Sequence, residues 1–169
     1  MTRRVGLLRH AKSDWPPGVP DHDRPLAERG RRDAAVAGRV LRERLEVPDL
    51  VLVSTALRAR QTWDLVHAEF THPPHHRDEP RVYDASVDDL LLLIREVPDS
   101  VERLVVIGHN PGLEELAFAL SGPASDPSAV AAMSTKFPTC ALAVLAVDRP
   151  WAHVVPEVAV LESFDVARG

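Results

Sequence analysis

The chain alternates short, wholly apolar runs with longer segments in which apolar residues recur at helical spacing. Val5 to Leu8, Leu50 to Val53 and Leu104 to Ile107 are unbroken apolar stretches. Their length and character predict strands buried on both faces of a parallel sheet. Helical patterns lie between them. From Leu26-Ala27-Glu28-Arg29-Gly30 onward, Ala34, Ala37, Val40, Leu41 and Leu45 share one helical face. Arg29, Arg31, Arg32, Arg39, Arg42 and Arg44 occupy the other as a solvated surface, with Glu43 and Glu46 as partners. Pro48-Asp49 breaks this helix. Ser86 to about Glu96 predicts an amphipathic helix with Leu90, Leu91, Leu93 and Ile94 in the core. Pro111 opens another, apolar through Leu113, Leu116, Ala117 and Leu120. Thr139–Val147 and His153–Phe164, on either side of Asp148-Arg149-Pro150, predict a closing pair of strands. Arg81–Asp84 reads as a short strand with a loop, and Ser121–Ser134 as a flexible loop of small residues. Strands separated by helices in this way predict an α/β fold with a mainly parallel central sheet.

Composition narrows the class. At 169 residues the chain is expected to form one domain, 1–169, large enough to bury roughly 70% of the surface its unfolded form exposes. Hydrophobic residues at 45% and charged residues at 27% exclude a disordered or fibrous protein. A net charge of -5 argues against a general nucleic-acid binder while leaving room for a local basic pocket. The lone Cys140 forms no internal disulfide and, among Ala141, Leu142 and Val144, reads as a small core residue. The apolar run after Met1-Thr2-Arg3-Arg4 is too short for a signal-peptide core, and runs such as Leu90–Ile94 fall well below the roughly 18 residues of a membrane helix. A cytoplasmic protein with no membrane and no nucleic-acid partner is therefore expected.

Candidate chemistry gathers where the apolar runs stop. Val5–Leu8 ends in Arg9-His10, Leu50–Val53 in Ser54-Thr55, and Leu104–Ile107 in Gly108-His109-Asn110-Pro111-Gly112. Ser54 or Thr55 is placed to cap a helix carrying Arg58 in its first turn, where free N–H groups and the helix dipole favour anions. An Arg-His pair at a strand end also occurs as a plain surface feature; convergence is what distinguishes the two. Parallel connectivity brings the three ends to one edge of the sheet, and Asp14–Asp23, rich in proline, forms one wall over it. Two arginines and two histidines suit a dianionic tetrahedral ligand: guanidinium forks match phosphate oxygens, and a neutral imidazole can attack phosphorus. No carboxylate stands next to Arg9-His10, Arg58 or Gly108-His109, so neither metal nor other cofactor is expected. His72-Pro73-Pro74-His75-His76 reads as an exposed connection rather than a metal site.

The motifs also carry a resemblance. Leu8-Arg9-His10-Ala11-Lys12-Ser13, Arg24-Pro25-Leu26 with Glu28-Arg29-Gly30, Ser54-Thr55-Ala56-Leu57-Arg58-Ala59-Arg60-Gln61-Thr62 and Ile107-Gly108-His109-Asn110-Pro111-Gly112 resemble, in order, the landmarks of the histidine phosphatase superfamily. Together with Lys136-Phe137-Pro138-Thr139 and the short length, they are most similar to its small SixA-type phosphohistidine phosphatases. The resemblance implies a three-layer α/β/α sandwich of the phosphoglycerate-mutase-like type. It also implies that His10 becomes transiently phosphorylated while Arg9, Arg58 and His109 hold the phosphoryl oxygens, with Lys12 and Ser13 contacting substrate at the rim. Two departures stand out. Ala11 replaces the more usual glycine, as is typical of SixA-like members, and the loop acid of larger members has no clear counterpart. Asp84 lies in the right part of the chain, where a turn role competes for it. The implied partner is a phosphate-bearing substrate, foremost a phosphohistidine protein domain. The alternatives are a phosphomonoesterase acting on a sugar or nucleotide phosphate, and a non-catalytic phosphate-binding module.

Overall fold

The computed structural model describes residues 1–169. Six strands form one sheet: β1 (Arg3–Arg9), β2 (Leu50–Val53), β3 (His76–Asp78), β4 (Arg103–Gly108), β5 (Ala141–Val147) and β6 (Val160–Val166). Their spatial order is β3-β2-β4-β1-β5-β6. The first four are parallel, whereas β5 and β6 close one side antiparallel. Side-chain alternation sends Val5, Leu7, Leu104 and Val106 to one face and Leu8, Val105 and Ile107 to the other. Both faces are covered, which is why these runs are apolar throughout.

The helices divide accordingly. α1 (Glu28–Leu45) and α2 (Leu57–Val66) cover the face of Leu8 and Val53, and α3 (Val87–Arg95), α4 (Gly112–Leu120) and α5 (Pro127–Thr135) cover the face of Leu7 and Leu52. The result is the expected three-layer α/β/α sandwich. α1 crosses β1 closely at Gly6, where a Cβ would come within 2.7 Å of Leu45 Cδ1. No helix is long and apolar enough to cross a membrane.

Several elements differ from the sequence expectation. The 121–134 stretch contains α5, started by Pro127 and capped by the Asp126 carboxylate, which accepts from Ala129 N–H at 2.8 Å. The strand expected at 81–84 is a 3-10 turn at Pro80–Val82, held by Glu79, which accepts from Arg81 N–H at 3.1 Å. The edge strand lies earlier, at His76–Asp78. In the last pair, Trp151–His153 is also a 3-10 turn. Buried Trp151 donates from Nε1 to the Val101 carbonyl at 2.7 Å, so the strand starts only at Val160. The arginine face of α1 is exposed as expected, but its partners are not Glu43 and Glu46: Arg29 pairs with Asp33 and Arg32 with Glu28 within the helix, and others reach outside it. Arg39 reaches Glu69, Arg44 reaches Asp165, and Glu46 pairs with Arg103.

Candidate active site

Parallel pairing fixes the site edge. Arg9 lies opposite Gly108 and Val53 opposite Ile107, so the carboxyl ends of β1, β2 and β4 are level. The backbone beyond them stays in register, with His10 N–H on the Gly108 carbonyl at 3.0 Å and Ser54 N–H on that of Ile107 at 3.0 Å. The next residues, His10, Ser54 and His109, must then meet at one edge.

His10 is 7% exposed. Its ring Nδ1 lies 2.7 Å from the Ala11 carbonyl oxygen. A carbonyl only accepts, so the neutral ring carries its proton on Nδ1 and leaves the lone pair on Nε2. That loop is fixed from below: Ala11 N–H donates to Thr62 Oγ1 at 3.0 Å, and the same hydroxyl donates to the Arg58 carbonyl at 2.7 Å. Burial, reinforced by His109 and by the Arg58 and Arg9 charges against the opposing Ala11 contact, pushes the imidazolium down to about 3.

His109 packs its ring 5.1 Å from that of His10 and edge-on to Tyr83 at 5.6 Å. Its Nε2 is 2.7 Å from Ser54 Oγ, whereas Nδ1 is buried with no partner. Burial first, then the Arg58 charge, pushes it down to about 4, with the Asp21 carboxylate opposing. Ser54 and Thr55 do not cap α2 as the sequence suggests. The N-cap is Ala56, while Ser54 serves His109 and Thr55 Oγ1 meets His22 Nε2 at 2.9 Å.

A cavity of about 220 Å³ is lined by all six residues singled out from sequence, Arg9, His10, Lys12, Ser13, Arg58 and His109, together with Trp15, Arg24, Asn110 and Thr139. Arg9 Nη1 donates to the Phe137 carbonyl at 3.0 Å, and Asn110 Nδ2 shares that acceptor at 2.8 Å. Lys12 is exposed at the rim, whereas Ser13 is buried and its hydroxyl pairs with Arg24 Nη2. Arg24 is a third guanidinium in the cavity; its carbon sits 3.2 Å from the centroid of the exposed Trp15 ring, within cation–π range.

Asp21, in the 3-10 turn Asp21–Asp23, ties this group together. It accepts from Arg24 and Arg58 and from the Tyr83 hydroxyl, which with the two guanidinium groups holds its carboxyl far below the usual carboxylate range. Asp84 occupies a left-handed turn position, φ 54°, and lines an adjoining cavity of about 250 Å³ with Asp21, Tyr83 and His109. Sequence reasoning did not single out Arg24, Asp21, Tyr83 or Asn110 as site residues. Arg24-Pro25-Leu26 and Asn110 stood inside the quoted motifs, but nothing local marks Asp21 or Tyr83. No three His, Cys, Asp or Glu side chains form a group that could hold a metal ion. His72 and His75 are exposed, and His76 in β3 packs its ring 5.4 Å from Trp63. Cys140 is buried, its thiol pushed up to about 12 by burial, as a core residue.

Comparison with known proteins places this geometry. Residues 5–83 match the family model of the histidine phosphatase superfamily (branch 1). An uncharacterized protein of Mycobacterium tuberculosis is 45% identical over 162 residues, spanning 95% of this chain and 100% of its own length. Among solved structures, one from Nakamurella multipartitia, provisionally named phosphohistidine phosphatase SixA, superposes with a TM-score of 0.86 at 30% identity, covering 99% of this chain and 97% of that one. A second of the same provisional name, from Agrobacterium tumefaciens, gives a TM-score of 0.80 at 34% identity over 96% of this chain and 97% of its own.

Proposed function

The chain belongs to the histidine phosphatase superfamily and is a histidine-type phosphatase, and on that premise we propose that it removes the phosphoryl group from phosphohistidine in a protein through a covalent intermediate on His10. The observation that carries this reading is the Nδ1 contact of His10 with the Ala11 carbonyl at 2.7 Å. It aims an unprotonated Nε2 into a cavity lined by Arg9, Arg24 and Arg58.

The chemistry follows from those placements. Nε2 of His10 attacks phosphorus, an N–P bond forms, and the P–N bond to the substrate imidazole breaks with its electron pair leaving on that nitrogen. Arg9 and Arg58, with N–H groups fixed before substrate arrives, oppose the charge spread over the equatorial oxygens. Ser54 Oγ accepts from Ala56 N–H at 3.3 Å, which leaves its own hydrogen free for His109 Nε2. The His109 ring, 5.1 Å from that of His10 and lining the same cavity, stands beside the phosphoryl oxygens. Water next attacks phosphorus, the His10–phosphorus bond breaks, and phosphate leaves.

Two features favour phosphohistidine as the substrate. No carboxylate lines the cavity of His10, and Asp21, which pairs with Arg24 and Arg58 of that cavity, is held ionised and cannot supply a proton. An alcohol leaving group needs such an acid. An imidazole already protonated on its distal nitrogen departs neutral without one. Lys12 at the rim and the exposed Trp15 ring provide contacts for the protein that carries the phosphohistidine.

The test is to incubate the protein, with chelator present, with a phosphohistidine-bearing protein and with a panel of sugar and nucleotide monoesters, alongside His10→Ala. Faster release from phosphohistidine, lost in the variant, is expected. Preference for a monoester would move the reading to a phosphomonoesterase with Asp84 as its acid, and intact phosphate binding without turnover would leave a binding module.

A further inference from the structure

We infer that Asp21 is a positioning residue that locks the Arg24 and Arg58 guanidinium groups into one phosphoryl cradle. The inference rests on the reading of that cavity as the phosphoryl site.

One residue makes four contacts to three side chains. Asp21 Oδ1 accepts from Arg24 Nη1 at 2.9 Å, and Oδ2 accepts from Arg58 Nη2 at 3.1 Å and from the Tyr83 hydroxyl at 2.7 Å. The Asp21 backbone carbonyl accepts from Arg58 Nη1 at 2.7 Å. Both terminal nitrogens of Arg58 are thus held along one edge by the same residue. A guanidinium held along one edge has a fixed plane, and its remaining N–H groups point in fixed directions. Arg58 lines both the cavity of His10 and the adjoining one that contains Asp21, so the carboxylate stands behind the guanidinium as seen from the nucleophile.

Charge gives the second reason. Arg9, Arg24 and Arg58 face one small cavity with Lys12 at its rim. Without a counter-charge, Arg24 and Arg58 would repel and swing toward solvent whenever the cavity is empty. Asp21 lies between them and is half exposed, so its field reaches the two guanidinium groups it touches while solvent screens it from an incoming anion. The 3-10 turn Asp21–Asp23 sets the three-residue spacing that lets one chain segment present both Asp21 and Arg24 to Arg58. Tyr83 anchors the carboxylate from the far side, and His22 packs edge-on against the Tyr83 ring at 4.8 Å.

The role predicts a particular kinetic signature. Loosening the cradle while removing a negative charge leaves ground-state attraction for phosphate intact but misaligns the donors in the transition state, where small misplacements are costly. Asp21→Asn keeps the side-chain size and the backbone contact to Arg58 but cannot accept from both arginines. The experiment compares wild type, Asp21→Asn and Asp21→Glu on a phosphohistidine-bearing protein and on an aryl phosphate, with inorganic phosphate as a competitive inhibitor and thermal midpoints recorded. Asp21→Asn is expected to lower kcat at least tenfold while KM and the phosphate inhibition constant change less than about threefold, with Asp21→Glu recovering part of the loss. Unchanged kcat in Asp21→Asn overturns the inference. So does a fall in kcat that merely follows a loss of folded protein. Absence of phosphohistidine turnover by wild type would instead overturn the substrate reading, and the aryl phosphate series would still decide the role of Asp21.

Discussion

The imidazoles of His10 and His109 pack with their centroids 5.1 Å apart and tilted by 51°, and neither is charged at neutral pH. Burial is the main cause for both, and each also lies near Arg9 and Arg58. The His10 ring therefore stays unprotonated well into the acid range, as the proposed nucleophilic role requires. With an aryl phosphate and correction for its own ionisation, kcat/KM is expected to show no enzyme group titrating between pH 5 and 7, and to fall only toward the values of about 4 and about 3 that burial gives the two rings. An acid limb centred near the ordinary histidine value of about 6.5 would contradict this account of the site.

Thr62 carries the loop that holds His10, although it does not line the cavity of that ring. Its hydroxyl accepts from Ala11 N–H and donates to the Arg58 carbonyl, and all three groups are buried. Thr62→Val keeps the volume but strands the Ala11 N–H. Leaving such a group without a partner costs about 1–3 kcal/mol, so the denaturation midpoint in urea is expected to fall correspondingly. Because the Ala11 carbonyl sets the His10 tautomer, kcat should fall as well, which a purely structural residue would not require.

Gly30 in the first turn of α1 lies against the same loop from the opposite side. A Cβ there would overlap the Lys12 carbonyl, which already accepts from Ala27 N–H at 2.9 Å. Helix propensity alone favours alanine over glycine by up to about 1 kcal/mol. Overpacking against backbone works the other way, typically by about 1–3 kcal/mol, and the backbone cannot rotate aside as a side chain would. Gly30→Ala is expected to lower the melting temperature and to weaken turnover by displacing Lys12 and Ser13; a stabilised variant with full activity would show that the loop yields easily.

These dependencies explain what the sequence disclosed. β1, β2 and β4 were legible because burial on both faces leaves no polar position within Val5–Leu8, Leu50–Val53 or Leu104–Ile107. Once those strands are parallel, the meeting of Arg9, His10, Arg58 and His109 follows from connectivity. β3 was displaced because His76, Arg77 and Asp78 are all exposed at the sheet edge and carry no apolar pattern. α5 was hidden because Ala and Ser give it no strong apolar stripe, and only Asp126-Pro127 marks its start. The caps of α2 failed for a tertiary reason: His109 and His22 claim the Ser54 and Thr55 hydroxyls. Asp21 was illegible for the same reason, since its partners Arg58 and Tyr83 lie 37 and 62 residues away.

The depressed histidines also make folding stability depend on pH, with a sign fixed by linkage. Above about pH 6.5, the ordinary histidine value, His10 is neutral in both the folded and unfolded chain, and its contribution is fully present. As the pH falls below that value the unfolded chain takes up a proton that the folded chain refuses until about 3, so stability declines across this window. By pH 5 the loss through His10 alone is about 2 kcal/mol, one pKa unit being 1.36 kcal/mol; His109 shifts in the same direction. Melting temperatures are therefore expected to fall between pH 7 and 5, above the range in which carboxylates titrate. The decline should be shallower in His10→Asn, which has no proton to refuse. Saturating phosphate should also flatten it in the wild type, because a bound anion favours the charged imidazoles and lifts their folded values back toward neutrality. An equal slope in wild type and His10→Asn would show that the His10 ring takes up its proton in the folded state near its ordinary value, and would remove the electrostatic basis for an unprotonated nucleophile.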